Sequence, residues 1–128
     1  YKDQKFFLEK KISSPEGRFK EKKVIKIDDF ENFKTFGYFD EIYKSCHPKL
    51  FVDYSREYFD AHVCRLTIDT NIYYTKYNNY NYIKNDPHIA VEIKAKINSD
   101  LDTLMSKFPF QRVRFSKYCR GFDFLFNK

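Results

Sequence analysis

The sequence predicts an α+β fold built mainly from antiparallel β-strands, with a few helices lying over them. Three observations carry this expectation. Residues 63–73 and 88–97 alternate apolar and polar side chains with the period of two that marks a strand. Residues 100–108 instead repeat apolar residues at i, i+3, i+4 and i+7, the period of a helix. The polar face of the strands, finally, carries Lys, Arg and Glu rather than Ser and Thr.

The elements follow in order. Residues 5–12 read as a strand, with Phe6, Leu8 and Ile12 on one face and Glu9 and Lys11 on the other. Ser13-Ser14-Pro15-Glu16-Gly17 is a turn by composition. Residues 18–26 return as the second strand of a hairpin, with Phe19 and Ile25 on one face and Arg18, Lys20 and Lys22 on the other. Residues 28–45 read as mostly helical: Asp28 or Asp29 caps the start, Phe30, Phe33 and Phe36 follow at helical spacing, Gly37 is a point of interruption, and Pro48 ends the region. Residues 50–56 read as a strand ending in Tyr54-Ser55-Arg56.

In the strand at 63–73, Cys64, Leu66 and Ile68 alternate with Arg65, Thr67 and Asp69. Residues 73–85, rich in Tyr, Asn and Lys, read as a loop or an elaborated hairpin end. In 88–97, Ile89, Val91, Ile93 and Ile97 face one way, and Glu92, Lys94 and Lys96 the other. Ser99 caps the helix at 100–108, its stripe is Leu101, Leu104, Met105 and Phe108, and Pro109 stops it. Residues 112–118 read as a short strand or turn, and an aromatic tail follows from Phe122 to Phe126. No linker or repeat divides residues 1–128, which read as a single domain.

Composition bounds the function. With 128 residues, 42% hydrophobic and 33% charged, the chain can bury a core and is too apolar for a disordered tail. It lacks the run of about 20 apolar residues that a membrane helix requires. A net charge of +6 suits an anionic partner, whether phosphate, nucleic acid or a membrane surface, without choosing among them. Cys46, Cys64 and Cys119 are odd in number and far apart, which argues against a disulfide framework and for a reducing compartment. There is no P-loop and no G-x-G-x-x-G, so ATP would not be held by a P-loop. Cys46-His47 lacks a second ligand pair at finger-like spacing. Cys64 and Cys119 read as packing residues, and His62 and His88 as exposed residues flanking strands.

The charged faces admit two readings. On pattern alone, a sheet with one solvated face is the simpler. Glu9, Lys11, Lys20 and Lys22 would then be surface ion pairs, Asp69 would pair with Arg65, and Glu92 would be a solvated charge. In the second reading the sheet closes into an antiparallel β-barrel with its charged face inward, and the helices at 28–45 and 100–108 cover its outward apolar faces. Clustered cations repel one another, so such an interior must hold an anion. Lys and Arg contact phosphoryl oxygens, and a Glu among them can hold a divalent ion that bridges phosphates.

Six segments carry a resemblance. In order they are Phe7-Leu8-Glu9-Lys10-Lys11, Phe19-Lys20-Glu21-Lys22, Tyr54-Ser55-Arg56-Glu57-Tyr58-Phe59, Arg65-Leu66-Thr67-Ile68-Asp69-Thr70-Asn71, Val91-Glu92-Ile93-Lys94 and Arg114-Phe115-Ser116-Lys117-Tyr118-Cys119. From Phe7 to Cys119 the chain resembles the vacuolar transporter chaperone (VTC) domain of the triphosphate tunnel metalloenzyme superfamily. The resemblance implies a tunnel of about eight antiparallel strands. It implies a polyphosphate polymerase that moves the γ-phosphoryl group of ATP to a growing polyphosphate chain with Mn2+ (or Mg2+). By the same resemblance Lys11, Arg56, Arg65 and Lys117 would be catalytic. Glu9, Lys20, Lys22 and Lys94 would bind substrate, and Glu92 would be the metal ligand.

Two other outcomes fit the same tunnel: triphosphate hydrolysis, with water attacking, and a non-catalytic polyphosphate-binding subunit. Interleaved basic and aromatic residues also fit single-stranded nucleic acid, against which stands the lack of an RNP-like or helix-turn-helix pattern. The need for ATP implies a cytoplasmic domain, at the cytosolic face of a membrane if regions outside this chain anchor a complex there. The family's first strand, of Glu-x-Lys type, and its following Arg-x-Arg strand have no counterpart here. Tyr1 falls about where the Arg-x-Arg strand should end, so the expectation is a tunnel lacking its first strands, with fewer than eight.

Overall fold

The computed structural model describes residues 4–96, 100–108 and 110–127. The elements are β1 (Phe6–Ser14), β2 (Gly17–Ile25), α1 (Ile27–Phe36), β3 (Tyr38–Asp40), β4 (Lys44–Cys46), β5 (Leu50–Asp60), β6 (Cys64–Lys76), β7 (Asn79–Asn85), β8 (Ala90–Ala95), α2 (Leu101–Ser106) and α3 (Lys117–Phe126). The fold is α+β and mostly antiparallel. Its strands form three sheets: β1–β2, β3–β4, and a four-stranded sheet in which β6 pairs with β5, β7 and β8. Among the described residues there are eight strands where fewer were expected, and no closed barrel is found. Closure requires the two edge strands of one sheet to pair, and these three sheets each keep their own edges. The chain divides into two compact units, Tyr1–Pro48 and Lys49–Lys128. No described helix is long and apolar enough to cross a membrane.

In the first unit, β1 and β2 pair from Phe6↔Ile25 to Ser14↔Gly17 across a two-residue turn, Pro15-Glu16. The even residues of β1 are half-buried and the odd ones exposed, as the alternation predicts. Phe6 stacks on Phe30 of α1 at 5.2 Å, so the helix covers the apolar face of the hairpin. The N-cap of α1 is Lys26, whose backbone N–H donates to Asp29, rather than Asp28 or Asp29.

The helix expected over 28–45 ends at Phe36. Gly37 stops it, at φ 83°, and a Cβ there would lie 2.8 Å from the Cys46 carbonyl oxygen and the His47 ring. Residues 38–46 then form the β3–β4 hairpin. The Asp40 carboxylate accepts the Ile42 and Tyr43 N–H groups and shapes its turn.

In the second unit, β5 is longer than predicted, and of the two readings of residues 73–85 the hairpin end holds and the loop does not, because β6 runs on to Lys76 and β7 returns to pair with it. β7 and β8 share one edge of β6 end to end: β7 pairs with Tyr73–Lys76 and β8 with Cys64–Asp69. Between the pairs Ser55↔Thr70 and Asp53↔Tyr73, one residue of β5 opposes two of β6. Asn71, at φ 52°, absorbs this bulge, a conformation Asn tolerates better than most residues. The extra residue reverses the parity of β6. The face that carries Arg65, Thr67 and Asp69 therefore continues as Ile72 and Tyr74.

That face is the one α3 covers. Ile72, Tyr74 and Leu125 are the buried cluster, with Leu50, Val52, Ala90 and Phe115 packed around it. Each large apolar side chain so buried contributes about 1.5–3 kcal/mol. The main cover of the large sheet is thus α3, lying on the same face as the charged residues, and not a helix on the opposite apolar face. On that opposite face Phe59 and Val91 remain exposed and Leu66, Ile68 and Ile93 half-buried.

Residues 112–118 were expected to be a short strand or turn, and Phe122 to Phe126 a tail; instead 111–116 have no regular structure and Lys117–Phe126 is helix. The Ser116 hydroxyl caps it by accepting the Cys119 N–H. Cys119, expected to pack, is exposed, while Cys64 is buried. In α2 the cap is Asp100, which accepts from the Asp102 and Thr103 N–H groups. Leu104 is buried and Met105 and Phe108 half-buried, as the stripe predicts. The expectations for Ile97, Ser99, Pro109 and the Leu101 side chain lie outside the described residues.

Gly121 is where α3 comes closest to the sheet. A Cβ there would lie 2.5 Å from the Tyr74 ring, which is fully buried and cannot swing away. Gly121→Ala is therefore expected to destabilise the protein by about 1–3 kcal/mol, despite the higher helix propensity of alanine. Urea unfolding checks this, and a stabilised variant would show that α3 is free to shift.

Candidate functional site

Each unit presents one charged face. In the first, the β1–β2 register places Glu9 opposite Lys22, Lys11 opposite Lys20 and Ser13 opposite Arg18. Glu9 lies 3.8 Å from Lys20 and 3.9 Å from Lys22. Lys22 also sits over the Phe7 ring at 4.1 Å. The Lys11 side chain has no ion pair among the described residues, and its carbonyl accepts the Tyr43 hydroxyl at 2.6 Å. Four cations, Lys11, Arg18, Lys20 and Lys22, thus share this face with one carboxylate, which only Lys20 and Lys22 approach. On the other face of β1, Lys10 pairs with Asp40 at 2.8 Å. This pairing holds the Asp40 carboxyl below its usual range and pushes the Lys10 ammonium up.

In the second unit, the ladders place Arg56 opposite Asp69, Tyr58 opposite Thr67 and Asp60 opposite Arg65. On the other side of β6, Arg65 faces Lys94 and Thr67 faces Glu92. Arg56, Arg65, Glu92 and Lys94 therefore share one face, and Lys117 reaches it from the start of α3.

Asp69 is the hub. Its side chain is only 2% exposed, and it receives Arg56 through Nε at 2.6 Å and Nη2 at 2.8 Å, and Lys117 at 2.5 Å. Hydrogen bonding from Arg56, and then from Lys117, holds the Asp69 carboxyl well below the usual carboxylate range against the opposing effect of burial. The Arg56 guanidinium is pushed up in turn. The Tyr54 ring backs both cations, 5.2 Å from Arg56 and 4.6 Å from Lys117. Asp69 was expected to pair with Arg65. It pairs with Arg56 and Lys117, and Arg65 has no ion pair among the described residues. Glu92 contacts Lys94 at 3.4 Å with both side chains exposed.

A second buried cluster lies one turn along α3. The Asp86 side chain is fully buried and accepts from Tyr74 Oη at 2.6 Å, Arg120 Nε at 2.7 Å, Arg120 Nη2 at 2.8 Å and the His88 N–H at 3.0 Å. His88 Nδ1 lies 2.9 Å from Arg120 Nη2. Arg120, and then Tyr74, hold the Asp86 carboxyl far below its usual range. Burial, and then Asp86, push the Tyr74 hydroxyl up.

A family model for the VTC domain matches residues 1–126. The chain belongs to the VTC domain family. Comparison with curated proteins and with solved structures returned no match. The VTC family is associated with polyphosphate metabolism, chemistry that suits faces built from lysine and arginine.

The VTC domain places Glu9, Lys11, Lys20 and Lys22 together on one hairpin face, and Arg56, Arg65, Glu92, Lys94 and Lys117 together on one sheet face. Sequence reasoning missed Tyr54, Tyr74, Asp86 and Arg120 as parts of these arrangements. Tyr54 was open to discovery, being two residues before Arg56 on one strand and hence on its face. Among the described residues no three His, Cys, Asp or Glu side chains come together as a metal site. Glu92 therefore suits a divalent ion only as a single carboxylate, with phosphate oxygens supplying other ligands, a common arrangement for Mg2+.

Proposed function

We propose that this VTC domain binds phosphate chains on its cationic faces and acts as a metal-dependent polyphosphate polymerase, transferring the γ-phosphoryl group of ATP to polyphosphate. One observation carries the reading. Each charged face sets two cations directly opposite one another across a ladder, Lys11↔Lys20 and Arg65↔Lys94. Like charges in that position destabilise a sheet by up to about 1 kcal/mol, and a bound polyanion relieves them.

In this reading Lys11, Lys20, Lys22, Arg65 and Lys94 hold phosphoryl oxygens, with Glu9 spacing the hairpin lysines. Asp69 orients Arg56 and Lys117. One carboxylate shared by two cations leaves a net positive charge beside Tyr54. Glu92 would hold a divalent ion, manganese or magnesium, which when bound neutralises charge on the phosphoryl oxygens. The attacking group is a phosphate oxygen, already anionic, so no protein nucleophile or strong base is needed. Positioning and charge neutralisation supply the catalysis. The domain would work where ATP is available, in the cytoplasm, with any membrane-anchored complex formed through other regions.

The test is incubation with ATP and Mn2+, read as long polyphosphate on a gel, beside tripolyphosphate binding by calorimetry. Glu92→Gln and Lys117→Ala are each expected to lower polymer formation about 100-fold or more. Lys11→Gln should raise the melting temperature slightly while weakening tripolyphosphate binding. Phosphate release from tripolyphosphate without polymer would make the domain a hydrolase. Binding without turnover would make it an accessory subunit, and absence of both would sink the phosphate reading.

A further inference from the structure

Asp86 is saturated with donors and closed to solvent, so it has no capacity left for a substrate or a metal. Its partner Arg120 nevertheless lies one turn along α3 from Lys117, on the same inward side. We propose that Asp86, Arg120 and the Tyr74 hydroxyl form a positioning element that sets where α3 docks on the large sheet, and thereby where Lys117 meets Asp69 and Tyr54. This rests on the reading of Lys117 as an anion-contacting residue.

The apolar contacts of α3 do not fix its register by themselves. Leu125 on Ile72 and Phe124 stacked on Tyr74 at 5.7 Å are non-directional. A two-pronged guanidinium–carboxylate contact is directional. Buried ion pairs are weak evidence for stability, and specifying a register is their best-attested use. Asp86 is well placed to do so. Its N–H donates to the Ile72 carbonyl at 2.8 Å, beside the bulge and at the point where the partner of β6 changes from β7 to β8. Both inward cations of α3 thus end on buried aspartates anchored to β6, Lys117 on Asp69 and Arg120 on Asp86. A slip of one helical turn is about 5.4 Å, enough to separate Lys117 from Asp69.

The test is a double-mutant cycle on the chain, with tripolyphosphate as the probe, read by calorimetry. Asp86→Asn is expected to weaken binding about tenfold, and to have no effect when Lys117→Ala is already present. A second readout needs no anion. With lysines reductively 13C-methylated, the Lys117 resonance is displaced by the Tyr54 ring, and Asp86→Asn should move it toward the position of exposed lysines. Tyr74→Phe keeps the stacked ring and removes only the hydroxyl. It should shift the same resonance by less, and it carries the cycle if Asp86→Asn fails to fold. Equal losses with and without Lys117, or an unmoved resonance, would overturn the proposal. A wild-type chain that ignores tripolyphosphate while Asp86→Asn still moves the resonance would sink the phosphate reading and leave the positioning role supported.

Discussion

Asp69→Ala is expected to destabilise the protein by about 3–5 kcal/mol, measured by urea or thermal unfolding. The carboxylate is 2% exposed and is the sole acid holding Arg56 and Lys117 together among the described residues. Without it a guanidinium and an ammonium face each other across Tyr54 with no anion between them, and neither is in bulk water. The cost comes mainly from the two half-buried cations that remain, and less from the attraction that held them to the carboxylate. The same charge imbalance leads to a second, opposite prediction. On the proposed function a phosphate chain would supply negative charge to these cations, so tripolyphosphate should raise the melting temperature of Asp69→Ala more than that of the wild type. A stability loss under about 1 kcal/mol would mean that water screens the trio as it screens an exposed pair.

Acid is expected to unfold the protein through the same groups. Asp69 and Asp86 both have carboxyls held below the ordinary value of 3.8. A depressed folded pKa means that the native state binds protons less readily than the unfolded chain. The stabilisation is therefore complete above about pH 5 and is lost as the pH falls through 3.8 toward the folded values. Each unit of depression corresponds to about 1.4 kcal/mol. The melting temperature should be level from about pH 7 to 5 and fall steeply below about pH 4. Asp86→Asn should flatten the acid limb, since one of the carboxylates that drives it is gone. A melting temperature level down to about pH 2 would show that neither pair stabilises the fold.

The grouping of the charged residues into faces was largely legible in the sequence. Period-two alternation in 5–12 and 18–26 sorts Glu9, Lys11, Lys20 and Lys22 onto one face whatever the rest of the chain does, because successive side chains on a strand point to opposite sides. The same rule sets Arg65 apart from Leu66, and Glu92 and Lys94 apart from Ile93. The helix over 117–126 was not legible, for a physical reason. Its inward positions are Lys117, Arg120, Gly121, Phe124 and Leu125, so charges and a glycine occupy the stripe where periodicity looks for apolar residues. Those charges become favourable only because β6 and the segment after β7 bring Asp69 and Asp86 beneath them.

The sequence by itself therefore determined which residues share a face within each regular stretch of strand, since that depends only on neighbours two to four positions away. Tertiary structure decided what those faces meet. Gly37 ends α1 because Cys46 and His47 return against it. The bulge at Asn71 carries Ile72 and Tyr74 onto the face of Asp69, and gives the charged residues and the core one surface. Asp69 takes Arg56 and Lys117 rather than Arg65, which precedes it on the same strand face, because strand register and helix docking bring those two closer. Partners of this kind lie 13 to 48 residues apart along the chain, beyond the reach of any local periodicity.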